Sequence, residues 1–76
     1  MNEVGTILKR RRRALQMTMK QVADASGLSQ GFVSRVEAGK FDPLTFSFVT
    51  VLALCRALKI SSDFLIDQII PPEKRI

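Results

Sequence analysis

Few side chains in this sequence are equipped for covalent chemistry. The chain has no histidine and one cysteine, Cys55, and its seven carboxylates form no acid–base pair suited to catalysis. Cys55 lies in a run of Ala and Leu and reads as a small buried hydrophobe; no disulfide can form within the chain, which fits a reducing cytoplasm. No His/Cys cluster offers a metal site, so neither metal, cofactor nor catalysis is expected. What remains is hydrogen-bonding chemistry. Gln30, Ser34 and Arg35 stand close together in sequence. Gln presents a donor and an acceptor side by side, and Arg a fork of donors, so both suit flat partners with paired hydrogen-bonding edges. The charge distribution agrees. Residues 1–40 hold eight Lys/Arg against Glu3, Asp24 and Glu37, whereas residues 41–76 hold four of each sign. The whole excess of +5 therefore lies in the front half, as a polyanion partner on that side would require.

Five helices and no strands are expected to carry these side chains. The first covers about residues 3–15, with Val4, Ile7, Leu8, Ala14 and Leu15 on one face at 100° per residue. The second starts after Thr18 as N-cap, with Gln21 completing a capping box, and Gly27 stops it. Its buried face is Met19, Val22, Ala23 and Ser26. Ser29 caps a third helix over residues 29–38. The fourth, about residues 48–58, is apolar nearly all round and reads as the buried centre of a bundle. Ser61 or Ser62 starts the fifth, and Pro71-Pro72 ends it. The expected division is one domain over residues 1–70 and a tail over 71–76. The longest uncharged stretch, residues 43–55, is too short for a membrane helix, and no membrane partner is expected.

Two helices of eight or nine residues joined by a short turn at Gly27 have the spacing of a helix-turn-helix, in which the second helix enters the DNA major groove. The third helix divides suitably. Phe32, Val33 and Val36 make one side apolar; the other carries small residues with Gln30 and Arg35, able to bond adenine and guanine edges in a bidentate way. Gly31 costs the helix about 1 kcal/mol relative to Ala; it either permits close approach to DNA or is simply tolerated. Phe32 reads as packing rather than as a base contact.

Residues 8–58 resemble the Cro/C1-type helix-turn-helix domain of the xenobiotic-response-element family. The match runs through Leu8-x-x-x-Arg12-x-x-Leu15-x-Met17-Thr18, Val22-Ala23-x-x-Ser26-Gly27-Leu28-Ser29, Phe32-Val33-Ser34-Arg35-Val36-Glu37-x-Gly39 and Leu54-x-x-Ala57-Leu58. The resemblance implies an all-α, five-helix lambda-repressor-like fold. It implies that Gln30, Gly31, Ser34 and Arg35 face bases, that Thr18, Met19 and Lys40 meet phosphates, and that Arg12 pairs with Glu37. The helical wheel is less tidy, setting Arg11 inside the apolar face and Arg12 on its flank. Two features depart from the family. Met19 stands where a Gln often contacts the DNA backbone, and the loop before the fourth helix is about three residues longer, adding Leu44, Thr45 and Phe46. Those apolar residues either tuck under the domain or join a subunit interface.

Of the basic run Lys9–Arg13, at most two or three cations can touch one DNA backbone, Arg10 and Arg13 among them. These set affinity, while Gln30 and Arg35 set preference. A single helix reads few base pairs, so the domain is expected to act on double-stranded DNA as a homodimer and repressor. Its candidate interface is Leu44, Phe46, Ile66, Ile69 and Ile70. No residues remain for a ligand-sensing domain, so no small-molecule ligand is expected. A protein-binding module or antitoxin with secondary DNA binding is the alternative reading.

Overall fold

The computed structural model describes residues 3–70, and the expected tail lies outside them. Five α-helices follow one another: α1 (Val4–Ala14), α2 (Met19–Ser26), α3 (Gln30–Glu37), α4 (Phe48–Leu58) and α5 (Ser62–Ile69). One 3-10 turn, Pro43–Thr45, precedes α4, and no strand occurs among the described residues.

The starts of α2 to α5 are written in hydroxyl side chains. Ser29 Oγ accepts from the Phe32 N–H at 3.0 Å, Ser47 Oγ from Thr50 at 3.1 Å and Ser61 Oγ from Phe64 at 3.4 Å. At α2 the box closes from both sides: Thr18 Oγ1 accepts from the Gln21 N–H at 3.1 Å, and Gln21 Oε1 accepts from the Thr18 N–H at 2.8 Å. Each such bond satisfies an N–H that the first helical turn leaves unpaired. Gly27 ends α2 at φ 76, a left-handed conformation that an L side chain resists, and an added Cβ would meet nothing within 4 Å. Its conformation, not lack of space, calls for glycine.

Val4, Leu8, Val22, Ala23, Val33, Val36, Val51, Leu54, Cys55, Ala57, Leu58 and Leu65 form the core. Helix α2 packs on α3 and α4, and α1 crosses α3, α4 and α5. The described part of the molecule measures 36 × 22 × 21 Å, so every helix has one face in the core and one at the surface. That geometry corrects two expectations. Ala14, placed by the wheel on the apolar face of α1, is exposed. Helix α4 is not surrounded: Val51, Leu54, Cys55, Ala57 and Leu58 are buried, but Phe48 and Val49 are 70% and 73% exposed. In a bundle this small no helix has neighbours on all sides.

Arg11 accounts for its odd position on the wheel. Its Nε donates to the Leu58 carbonyl at 2.9 Å and its Nη2 to that of Lys59 at 3.3 Å. Both carbonyls lie at the C-terminus of α4, where Lys59 takes the left-handed φ of 54. A cation there answers unpaired acceptors and the negative end of the helix.

Candidate nucleic-acid interface

Helix α3 is held from beneath by Val33 and Val36, both buried, while Gln30, Gly31, Ser34 and Arg35 are all exposed along its other side. The side chains able to address base edges therefore share one open flank. Gly31 has no internal neighbour that a Cβ would strike within 4 Å, so packing inside the chain does not demand glycine at that position.

Two features fix the angle at which that flank is presented. At the N-terminal end, the Phe32 ring stacks on Phe41 with centroids 5.2 Å apart and meets Phe46 at 5.8 Å; Phe41 and Phe46 lie edge-on at 6.5 Å. The cluster ties α3 to the loop that follows it. Such aromatic pairs contribute roughly 0.5–1.5 kcal/mol beyond the area they bury. At the C-terminal end, Arg12 grips Glu37 through both carboxylate oxygens, Nε to Oε2 at 2.7 Å and Nη2 to Oε1 at 2.9 Å, while Nη1 donates to the Met17 carbonyl at 3.0 Å. The two side chains are 11% and 4% exposed. Hydrogen bonding to Glu37 pushes the Arg12 pKa further up, burial pulls it down, and attraction to the carboxylate raises it again; the net direction is up. One guanidinium thus joins α1, the turn before α2, and the end of α3.

Gly5 also shapes this corner. An added Cβ would collide with the Val36 carbonyl oxygen and sit 2.9 Å from that of Glu37, both backbone atoms. Helix α1 crosses the end of α3 at backbone distance, which only glycine permits. Sequence reasoning gave Gly5, Phe41 and the capping role of Arg11 no site role. A glycine inside an apolar-periodic helix was the available signal for Gly5, and the misplaced cation on the wheel was the signal for Arg11.

The basic run separates by use. Arg11 and Arg12 are engaged within the chain, leaving Arg10 and Arg13 exposed, three residues apart on one side of α1, with Lys9 half-buried. Thr18 and Lys40 are exposed. Met19 is half-buried and packs against the core, so what it can offer a phosphate is its backbone N–H at the first position of α2. Lys20 pairs with Asp24 at 3.0 Å on the exposed side of the same helix.

The residues expected at an interface between subunits scatter. Leu44 is 63% exposed, and Ile70 is exposed beyond the end of α5. Ile66 is half-buried. Phe46 and Ile69 pack against their own core. The long loop thus divides the two readings between neighbours: Pro43 and Phe46 tuck inward and Leu44 points out.

Among the described residues no group of His, Cys, Asp and Glu could hold a metal ion, and no helix is long and apolar enough to cross a membrane. Burial raises the Cys55 pKa, the opposite of what a reactive thiolate needs.

A family model described as Helix-turn-helix matches residues 8–65. That span includes α2, the Gly27 turn, α3 and α4, together with most of α1. No curated protein matched the chain. Over most of its length, then, the chain belongs to the helix-turn-helix family, of Cro/C1 type, and carries a DNA-binding domain.

Proposed function

We propose that the protein is a sequence-specific regulator of transcription, acting as a dimeric repressor that occupies a promoter and reads the major groove of double-stranded DNA with residues 29–38. The observation that carries this reading is the open flank of α3, where Gln30, Gly31, Ser34 and Arg35 are exposed above a buried Val33 and Val36.

In this reading Arg35 donates in a fork to guanine O6 and N7, Gln30 bonds adenine N6 and N7, and Ser34 adapts to either. Gly31 lets the helix sit deep. Around them, Lys40, Arg10 and Arg13 meet phosphates, with Thr18 and the first N–H of α2 at Met19 completing the backbone contacts. Phosphate contacts fix register, and base contacts choose the sequence. Lys40, Arg10 and Arg13 from each of two subunits would neutralise about six phosphates, giving a salt slope near −5.

Selection of binding sites from random DNA tests the proposal. The parent protein should enrich two half-sites about 34 Å apart, and Gln30→Ala or Arg35→Ala should lose the preference at one position each while keeping the fold. Enrichment unchanged by both substitutions would remove α3 from the groove.

A further inference from the structure

One surface has no part in reading DNA. Val49, Leu52, Ala53 and Arg56 of α4 form one wall of a groove of about 320 Å³, and Ala25 and Ser26 of α2 form the other. Beside it stands Phe48, which with Val49 is the most exposed large apolar part of α4. Residues 48, 49, 52, 53 and 56 recur at helical spacing. They make a second stripe on α4, separate from Val51, Leu54, Cys55 and Leu58 in the core. A solvated helix face ordinarily carries several charges; this one carries Arg56 alone, at its far end.

We infer that this stripe is where two copies of the chain meet, α4 packing antiparallel on α4 across a two-fold axis. The inference rests on the dimeric regulator proposed above and supplies its interface. None of the groove residues belongs to α3, so the stripe and the base-facing flank share no residue.

Three properties of the stripe favour a second copy as its occupant. A two-fold interface needs projection and hollow on the same patch, and here bulky Phe48 and Val49 stand at one end of a hollow floored by small residues, Ala53, Ala25 and Ser26. Each copy's projection can enter the other's hollow. The one cation of the stripe is also accommodated in the same arrangement. Antiparallel crossing near Leu52 sets each Arg56 over the partner subunit's Phe48, where a cation is attracted to the ring face. Eight residues separate positions 48 and 56, about 12 Å at 1.5 Å per residue, so the two guanidiniums stay farther apart than the roughly 8 Å screening length. Exposed apolar area lies on the same stripe. Phe48 and Val49 leave on the order of 250 Å² bare. With Leu52, Ala53 and Ala25, they supply an apolar centre for the roughly 800 Å² per partner of a stable interface.

The test is sedimentation of the full chain at micromolar concentration, beside binding to a two-half-site DNA and to a single half-site. The parent should sediment as two chains. Val49→Glu, at a solvated position where the fold tolerates it, should sediment as one. Its self-association should weaken about 100-fold, with helical circular dichroism and half-site affinity unchanged and tight binding to the paired site lost. Leu44→Glu and Ile70→Glu, on the other exposed apolar residues, should remain dimeric. As a positive probe, Leu52→Cys, at the crossing point, in a Cys55→Ala background should form a disulfide-linked dimer on mild oxidation. The inference fails if the parent sediments as one chain throughout, including where the surface serves a different protein. It also fails if Val49→Glu stays dimeric, if Leu44→Glu or Ile70→Glu separates the copies, or if the Leu52→Cys protein does not cross-link. Failure of the DNA reading is a separate result: a parent that dimerises through α4 but shows no sequence preference on a half-site.

Discussion

Glu37→Ala asks how much of this small domain rests on one carboxylate. Glu37 is nearly fully buried, and both its oxygens accept from Arg12. Removing the carboxylate leaves a guanidinium in a site built for a pair, with Met17 O as its remaining acceptor. Breaking such a pair costs about 3–5 kcal/mol, because the surviving charge is desolvated without compensation. A chain of 76 residues has a total stability of roughly 4–11 kcal/mol, so this one change should remove about a quarter of it or more. Replacing both partners together, Arg12→Met with Glu37→Leu, should recover most of the loss, since an apolar pair of similar volume avoids the desolvation. Urea unfolding followed by circular dichroism measures both. With a slope near 1 kcal/mol/M, the midpoint of Glu37→Ala should fall by about 3 M or more and that of the double variant by far less. Because the folded pKa of Arg12 is raised, the stability due to its charge is present below the unfolded value and lost only as pH rises through the folded one. Across neutral pH its contribution should therefore be flat. A midpoint change in Glu37→Ala worth less than 1 kcal/mol would mean that water screens the pair, and the reasoning from burial would be wrong.

Gly5→Ala should destabilise by about 1–3 kcal/mol through overpacking and weaken DNA binding besides, because α1 must move away from the end of α3; binding titration alongside thermal melting reads both effects. Cys55 should resist alkylation in the native protein at pH 8 and react at once in denaturant, since burial both hides the thiol and raises its pKa; rapid native labelling would contradict its place in the core. Arg10→Ala and Arg13→Ala should each lower the magnitude of the salt slope by about two per dimer without changing the preferred sequence, measured by titrations between low and moderate salt.

Much of this architecture was legible before the coordinates, because its signals are local. Ser29, Ser61 and the Thr18–Gln21 box are short-range devices, and each stands at a helix start in the structure. The division of α3 into Val33 and Val36 below and Gln30, Ser34 and Arg35 above follows from helical periodicity alone. What escaped depends on contacts distant in sequence. The pairing of Phe32 with Phe41 and Phe46 requires knowing how the loop folds back. The Arg11 bonds to Leu58 and Lys59 link residues nearly fifty positions apart. Gly5 gives no local sign of which backbone it will meet. Helix α4 misled for another reason: its composition is that of a buried element, and periodicity cannot distinguish a face covered by the same chain from one left bare.

In the proposed complex Arg35, on the open flank of α3, touches guanine in the major groove. Methylation interference on a selected site tests it directly, because an N7-methyl group removes one of the two acceptors the guanidinium fork would use. Methylating one guanine per half-site should abolish binding by the parent and make little difference to Arg35→Ala, which has already lost the contact. If the parent tolerates N7 methylation at every guanine, or if Arg35→Ala is blocked as strongly as the parent, α3 does not read the groove through this residue.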